Sequence, residues 1–175
     1  MDKRDHILTA ADALFERSGA AAVPIDLVIR DAGVSPRTLY KHFPSKTDLV
    51  VAVLRARHDR FIAEVGGDED TLPHPRQLLT RLAAWMRSVP NANGCLFQRL
   101  SGEMNHPAVD AEASRYKNAW RALVLSASRP FVSDTVQADS IYLLLEGVIA
   151  LAPFHGLDNA VAAADRGISM LTGRT

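Results

Sequence analysis

Cysteine is almost missing. Cys95 stands alone in 175 residues, which excludes an intrachain disulfide framework and a cysteine-rich zinc site. Net charge is missing as well. Lys+Arg and Asp+Glu both number 20, so the overall balance gives no sign of a nucleic-acid partner. The histidines (His6, His42, His58, His74, His106, His155) are scattered and fall at no metal-ligand spacing. The sequence holds no phosphate-binding glycine loop and no nucleophile elbow, so no catalytic residue, metal or cofactor is assigned. No signal peptide is visible, because Met1-Asp2-Lys3-Arg4-Asp5 is followed by no apolar core of the required length. The most apolar run, Ile141 to Phe154, contains Glu146 and Gly147 and falls short of the roughly 20 apolar residues of a bilayer span. These absences describe a soluble, cytoplasmic protein with no membrane partner.

What is present is apolar material and periodicity. The chain is 47% hydrophobic, enough for a core and too much for disorder. Charge is distributed unevenly: Arg37, Lys41, Lys46, Arg55, Arg57 and Arg60 face only Asp48 and Asp59 between Pro36 and Arg60. Such a local patch suits a phosphate backbone even in a neutral chain. Inside it lies the stretch around which the chain is organised, Gly33 to Lys46. Gly33 permits the sharp turn that ends a helix. Ser35 is an N-cap and Pro36 fits the first helical position. Leu39 and Phe43 are four apart and pack inward. Arg37, Thr38, Tyr40, Lys41 and His42 are left to the outer faces. Pro44 stops the short helix, and Ser45 caps the next with Asp48 in capping-box spacing. A short helix with a polar, cationic outer face suits the major groove of DNA.

The rest of the chain is read as helical, with no convincing strand alternation and about nine helices in all. Asp2–Ser18 carries the stripe Ile7, Ala11, Leu14, Phe15. Pro24–Ala32 follows, then the helix-turn-helix stretch, then Ser45 to about Val65, with Arg55, Arg57 and Arg60 on solvated faces. A loop is expected over 66–75 and a turn over 90–94. Further helices are expected over 76–88, 95–103, 107–128, 134–154 and 158–172, the last capped by Asp158. The helix over 134–154 is apolar around most of its circumference and must be buried nearly all round. A domain of this size tends to offer too few neighbours for that, the alternative being that both helices are satisfied within one subunit. A twofold four-helix interface, built from this helix and the one at 158–172, is therefore expected in a homodimer. The fold class is all-α. The division is 1–47 for a DNA-binding domain and 48–175 for a helical ligand-binding and dimerisation domain, with helix four linking them.

The residues Gly33-Val34-Ser35, Thr38-Leu39-Tyr40, His42-Phe43, Ser45-Lys46 and Leu49, preceded by Leu14-Phe15 and Gly19, resemble the signature of the TetR family of bacterial transcriptional regulators. The resemblance covers Asp2 to about Val65. It implies a ligand-responsive DNA-binding dimer, most often a repressor that releases a pseudo-palindromic double-stranded operator on binding a small molecule. Tyr40, His42 and Lys46 match positions that commonly contact phosphates. Pro36, Arg37 and Thr38 match positions nearest the bases, and Ser35 and Lys41 complete the candidate DNA-binding set. Two departures stand out. Val23-Pro24 occupies the place of threonines that cap helix two and touch the backbone, and Ile29 the place of a small residue.

For the small-molecule effector, whose identity the sequence does not give, the candidate pocket comprises Trp85, Cys95, Phe97, Met104, Tyr116, Trp120, Tyr142 and Glu146. Pockets between bundle helices are mostly apolar with few polar anchors. Glu146 and His155 are the polar groups to expect there. Each aromatic taken singly reads first as ordinary core, and Cys95 as a small buried residue; only as a set do they suggest a pocket. Two alternatives stay open: a DNA-binding regulator without a small-molecule effector, and a Cys95-dependent enzyme.

Overall fold

A computed structural model describes residues 2–67, 72–89 and 94–173. The expected loop at 66–75 and turn at 90–94 lie partly outside the described residues. Nine α-helices are present among those described, with no strand: α1 (Lys3–Ser18), α2 (Ile25–Ala32), α3 (Pro36–His42), α4 (Lys46–Phe61), α5 (Pro75–Ser88), α6 (Leu96–Met104), α7 (Pro107–Ser128), α8 (Thr135–His155) and α9 (Leu157–Leu171). A wider π turn, Ile62–Gly66, continues α4, and a 3₁₀ turn, Arg129–Phe131, follows α7. The all-α expectation holds.

The chain forms two compact units. The first contains residues 1–59 and 96–116, the second 60–95 and 117–175. Both α4 and α7 therefore contribute to each unit.

In the first unit, α1, α2 and α3 pack on one another. Ile7, Ala11, Leu14 and Phe15 of α1 are buried, as are Val28 of α2, Leu39 of α3 and Phe43 beyond it. From α4 come Leu49, Val50, Val53 and Leu54, all buried. The stripe spacing seen in the sequence is thus the spacing of this core. Buried charge sits beside it. Arg57 of α4 is 5% exposed and lies 2.5 Å from Glu16 Oε2 and 3.3 Å from Asp12 Oδ1, both on α1. Arg99 of α6 reaches Glu16 Oε1 at 3.3 Å and donates to the Glu16 carbonyl at 2.9 Å, near the C-terminal end of α1. This corrects the solvated-face reading of Arg57. A helical pattern gives the side a residue faces, and here that side carries acids from another helix.

The second unit brings α5, α8 and α9 together. Leu78, Leu79 and Leu82 of α5, Trp120 of α7, Ile141 and Leu145 of α8 and Ile168 of α9 are buried. Ion pairs lace its outside: Arg76 with Asp165 at 2.6 Å, Arg87 with Asp158 at 2.6 Å, and Arg121 with Asp139 at 2.6 Å. Gly156 occupies the N-cap of α9, so Asp158 lies in its first turn and does not cap it. The expectation for α8 also needs correction. Val136, Leu143, Leu151 and Phe154 are 71, 65, 49 and 79% exposed, so the helix is not buried all round. It is also longer than its apolar run. At 21 residues, α8 is long and apolar enough to cross a membrane by length and composition. Its two internal acids, Asp139 and Glu146, are paired with Arg121 and Lys117 of α7.

Removing one partner of a buried ion pair leaves an uncompensated charge, at a cost of about 3–5 kcal/mol. Glu16→Ala strands Arg57 with Asp12 alone. It is expected to lower unfolding free energy by about 3 kcal/mol in urea titrations. A loss under about 1 kcal/mol would place the pair among weak surface bridges.

Candidate nucleic-acid interface

The turn before α3 is built by its backbone. Gly33 adopts φ 63°, ψ 37°, the left-handed region that glycine enters without a Cβ clash. Its N–H donates to the Arg30 carbonyl at 3.1 Å, and the Val34 N–H to Ile29 at 3.2 Å. This pair of bonds satisfies the last carbonyls of α2 in a Schellman arrangement. Two residues on, Ser35 Oγ accepts from the Thr38 amide at 3.2 Å and lies 2.9 Å from Thr38 Oγ1. Pro36 fills the first helical position. The next cap repeats the device: Ser45 Oγ accepts from the Asp48 amide at 3.1 Å and donates to Asp48 Oδ2 at 2.7 Å. At the start of α2, by contrast, Pro24 stands at the N-cap with no side-chain cap. The departure from threonine at this position removes that hydrogen bond.

Leu39 and Phe43 face inward, which turns the remaining α3 side chains out. Pro36, Arg37, Tyr40 and Lys41 are exposed, while Thr38 and His42 are half-buried. Tyr40 is 48% exposed, large for a tyrosine with core neighbours. His42 lies tilted against Phe43, with ring centroids 6.3 Å apart. Lys46, half-buried at the first position of α4, donates from Nζ to the Ala21 carbonyl at 3.3 Å. Ser35, Thr38 and Lys46 thus have local partners, and Arg37, Tyr40 and Lys41 present their polar ends outward. The basic patch is smaller than the sequence suggests. Arg55 pairs with Glu112 of α7 at 2.7 Å and Arg57 is buried, so neither joins this face as a free charge.

The candidate pocket residues fall into two sets. In the first unit, Phe97 stacks on Tyr116 with centroids 3.8 Å apart and planes 2° from parallel. His58 meets Tyr116 edge-on at 5.8 Å. Met104 ends α6, half-buried. In the second unit, Phe61 is the hub. Trp85 meets it at 5.5 Å and Trp120 at 5.1 Å, both edge-on. Lys117 is bonded to Glu146, one helical turn beyond Tyr142. Burial, and then the Glu146 carboxylate, push the Tyr142 hydroxyl up to about 12; Cys95, itself buried, is a further neighbour. The Trp120 indole N–H and Glu146 Oε1 are buried without a hydrogen-bond partner among the described residues. His155 is exposed at the end of α8, beside a groove of about 340 Å³ between α8 and α9. Sequence reading missed Phe61, His58 and Lys117. Phe61 lies on the buried side near the end of α4, and nothing in the local spacing shows that two tryptophans meet there.

His58 is buried, with Nδ1 unpartnered among the described residues. Burial, assisted by Arg115, holds its imidazole below the usual 6.5, against the opposing pull of Asp59 and Glu112. The unfolded chain then takes up this proton at a higher pH than the folded one. Stability should fall as pH drops from about 6.5 through the folded value of His58. Glu112 acts in a lower window. Burial raises it, but hydrogen bonds from Arg55 and Arg115 outweigh that and hold it below 4.5. His58→Phe should flatten the upper part of the stability curve, read by thermal melts across pH. An unchanged slope in the variant would remove His58 from the titration.

Residues 7–53 match the family model of bacterial regulatory proteins, tetR family. The HTH-type transcriptional activator FasR of Mycolicibacterium smegmatis is 36% identical over 78 residues, covering 45% of this chain and 36% of that protein. The nucleoid occlusion factor SlmA of Aliivibrio fischeri is 31% identical over 94 residues, covering 51% and 48%. The chain therefore spans less than half the length of these curated relatives. Among solved structures, a TetR-family transcriptional regulator from Streptomyces coelicolor superposes with a TM-score of 0.85 at 21% identity, over 98% of this chain and 94% of that one. A putative regulator of the same type from Streptomyces avermitilis gives 0.73 at 25% identity, over 94% and 99%. The fold is shared from end to end, and the sequence signature lies where α1 to α4 build the helix-turn-helix. Residues 7–53 thus carry the sequence signature of the bacterial regulatory proteins of the tetR family, and the whole chain shares the fold of solved TetR-family regulators.

Proposed function

We propose that the protein is a cytoplasmic transcriptional regulator that binds a pseudo-palindromic operator as a homodimer and releases it on binding a small molecule. The observation that carries this reading is the outward presentation of Arg37, Tyr40 and Lys41 on a capped seven-residue helix whose opposite face, Leu39 and Phe43, is buried. We assign DNA binding to 1–47 and effector binding with dimerisation to 48–175. The α3 helix enters the major groove. Tyr40, His42 and Lys46 hold phosphates, with Lys46 exchanging the Ala21 carbonyl for a phosphate oxygen. Arg37 reads a base edge, and Ser35, Pro36, Thr38 and Lys41 complete the contact surface. Two such heads on one dyad reach half-sites centred about 34 Å apart, or further.

Dimerisation is supported by the apolar surface that α8 leaves uncovered. Leu143, Leu151 and Phe154 with Met170 of α9 form an exposed set too large to ignore, and a groove between the helices is lined by Leu144, Ala160 and Ala163. A second copy of the same helix pair supplies what they lack. Effector binding is supported in the second unit by the unpartnered Trp120 N–H and Glu146 Oε1. Leaving such groups unpaired costs about 1–3 kcal/mol each, a deficit that a ligand acceptor at the indole or a ligand donor at the carboxylate would remove. Trp85, Tyr142 and Cys95 are the further groups we assign to that site, which shifts DNA affinity only by binding one arrangement of the dimer better than another. Repression is the direction we assign.

Two measurements test this reading. Selection of bound sequences from a random DNA pool should return a dyad-symmetric site, and Arg37→Ala should weaken it by about 1–3 kcal/mol while relaxing preference at one base pair per half-site. Equal weakening on specific and random DNA would make Arg37 a phosphate contact. Sedimentation should show a dimer that Leu143→Glu combined with Phe154→Glu converts to monomer. A wild-type monomer at working concentration would overturn the twofold mode.

A further inference from the structure

Exposed cations in the first unit are not confined to the helix-turn-helix. Arg55 and Arg57, counted in the sequence as part of the basic stretch, are neutralised by Glu112 and Glu16. The first turn of α1 brings replacements. Lys3 and Arg4 are both exposed there. The Arg4 guanidinium carbon lies 5.5 Å from the centroid of the Phe43 ring. Phe43 is the residue that ends α3, and the His42 ring leans on it from the same helix. A cation from the start of the chain is therefore stationed at the C-terminal end of the candidate recognition helix.

The kind of contact matters. A carboxylate partner cancels a guanidinium charge, whereas an aromatic face attracts it through the ring quadrupole and leaves the charge in place. No hydrogen bond or ion pair engages Arg4 among the described residues. The planar group is held in position with its N–H donors still available, which suits a phosphate oxygen. Two acids share this turn, but each is turned to backbone: the Asp2 amide donates to Asp5 Oδ2 at 3.3 Å, and the Asp2 side chain caps the same turn.

We propose that Arg4, seated on the Phe43 ring, is a DNA phosphate contact outside the helix-turn-helix, gripping the backbone beside the end of α3. Phe43 then has two tasks, one as a core residue and one as the platform that places Arg4. The proposal rests on the reading of the protein as a DNA-binding dimer. It adds one phosphate per head to the footprint.

The test needs no operator, because phosphate contacts act on any sequence. Binding of the full chain to a fluorescently labelled random-sequence duplex is followed by anisotropy over a salt series. The logarithm of affinity falls with the logarithm of salt by about 0.9 per phosphate neutralised. Arg4→Ala and Arg4→Gln are expected to make that slope shallower by about 0.9 per bound head, with an unchanged melting temperature. Arg4→Lys is expected to restore most of it. Arg17→Ala, which removes an exposed cation from the other end of α1, is expected to leave it unchanged. A wild-type slope in Arg4→Ala, or an equal loss in Arg17→Ala, overturns the contact and leaves DNA binding intact. A wild-type chain that binds no duplex at all overturns the regulator reading, and this inference with it.

Discussion

A seven-residue helix does not persist in water on its own hydrogen bonds, because nucleation fixes several residues before propagation repays it. The α3 helix is that short, and everything proposed about DNA depends on its holding one orientation. Three local devices supply the order. The left-handed Gly33 turns the chain and lets Val34 close the end of α2. Ser35 satisfies the Thr38 amide, a cap worth about 1 kcal/mol. Leu39 and Phe43 then bury one face, each contributing about 1.5–3 kcal/mol. The outward face is thus free of structural duty. That freedom is what lets Arg37, Tyr40 and Lys41 be polar and exposed.

Charge in the first unit is sorted by the same logic. A positive residue near α3 serves DNA only if no carboxylate has claimed it. The buried Glu16 claims Arg57 and Arg99, tying α4 and α6 to the end of α1. Glu112 claims Arg55. These pairs anchor the scaffold, and their positive members add nothing to the field outside it. Arg4 is treated differently, resting on a ring in place of an acid. Net charge is a poor guide to this protein for that reason: its neutrality conceals cations of two kinds, those consumed within the fold and those left over.

The sequence made the first four helices legible because their signals are local. A cap, a turn glycine and a four-residue stripe each involve neighbours in the chain, and every buried position named for α1 is buried. The same local reasoning failed for Arg57, whose partners Asp12 and Glu16 lie more than forty positions earlier and share no pattern with it. It failed again where Phe61 gathers Trp85 and Trp120, since ring-to-ring contacts between helices leave no periodic trace. For α9 the start was misplaced because Asp158 is a plausible cap in composition, while Gly156 adopts φ 82° and takes the position.

For α8, sequence and structure together say more than either does alone. Its composition demanded burial on nearly every side, and the subunit covers only some of it. Two environments accept a helix of that character, lipid and another protein surface. Lipid is the costlier choice here. Asp139 and Glu146 lie within the span, and each is held by a cation on α7; carrying these pairs toward hydrocarbon would strip both members of water. A second copy demands no such transfer. In the proposed dimer it would cover Leu143, Leu151 and Phe154 and leave the paired charges where they are. The same helix would then have a dry side toward the second copy; its polar side is toward α7, where Glu146 retains one oxygen without a partner among the described residues. In the dimer proposed above, the unsatisfied acid would sit on the same helix as the seam, so a small molecule bound there would act on the element that sets the spacing between the two proposed DNA-reading heads.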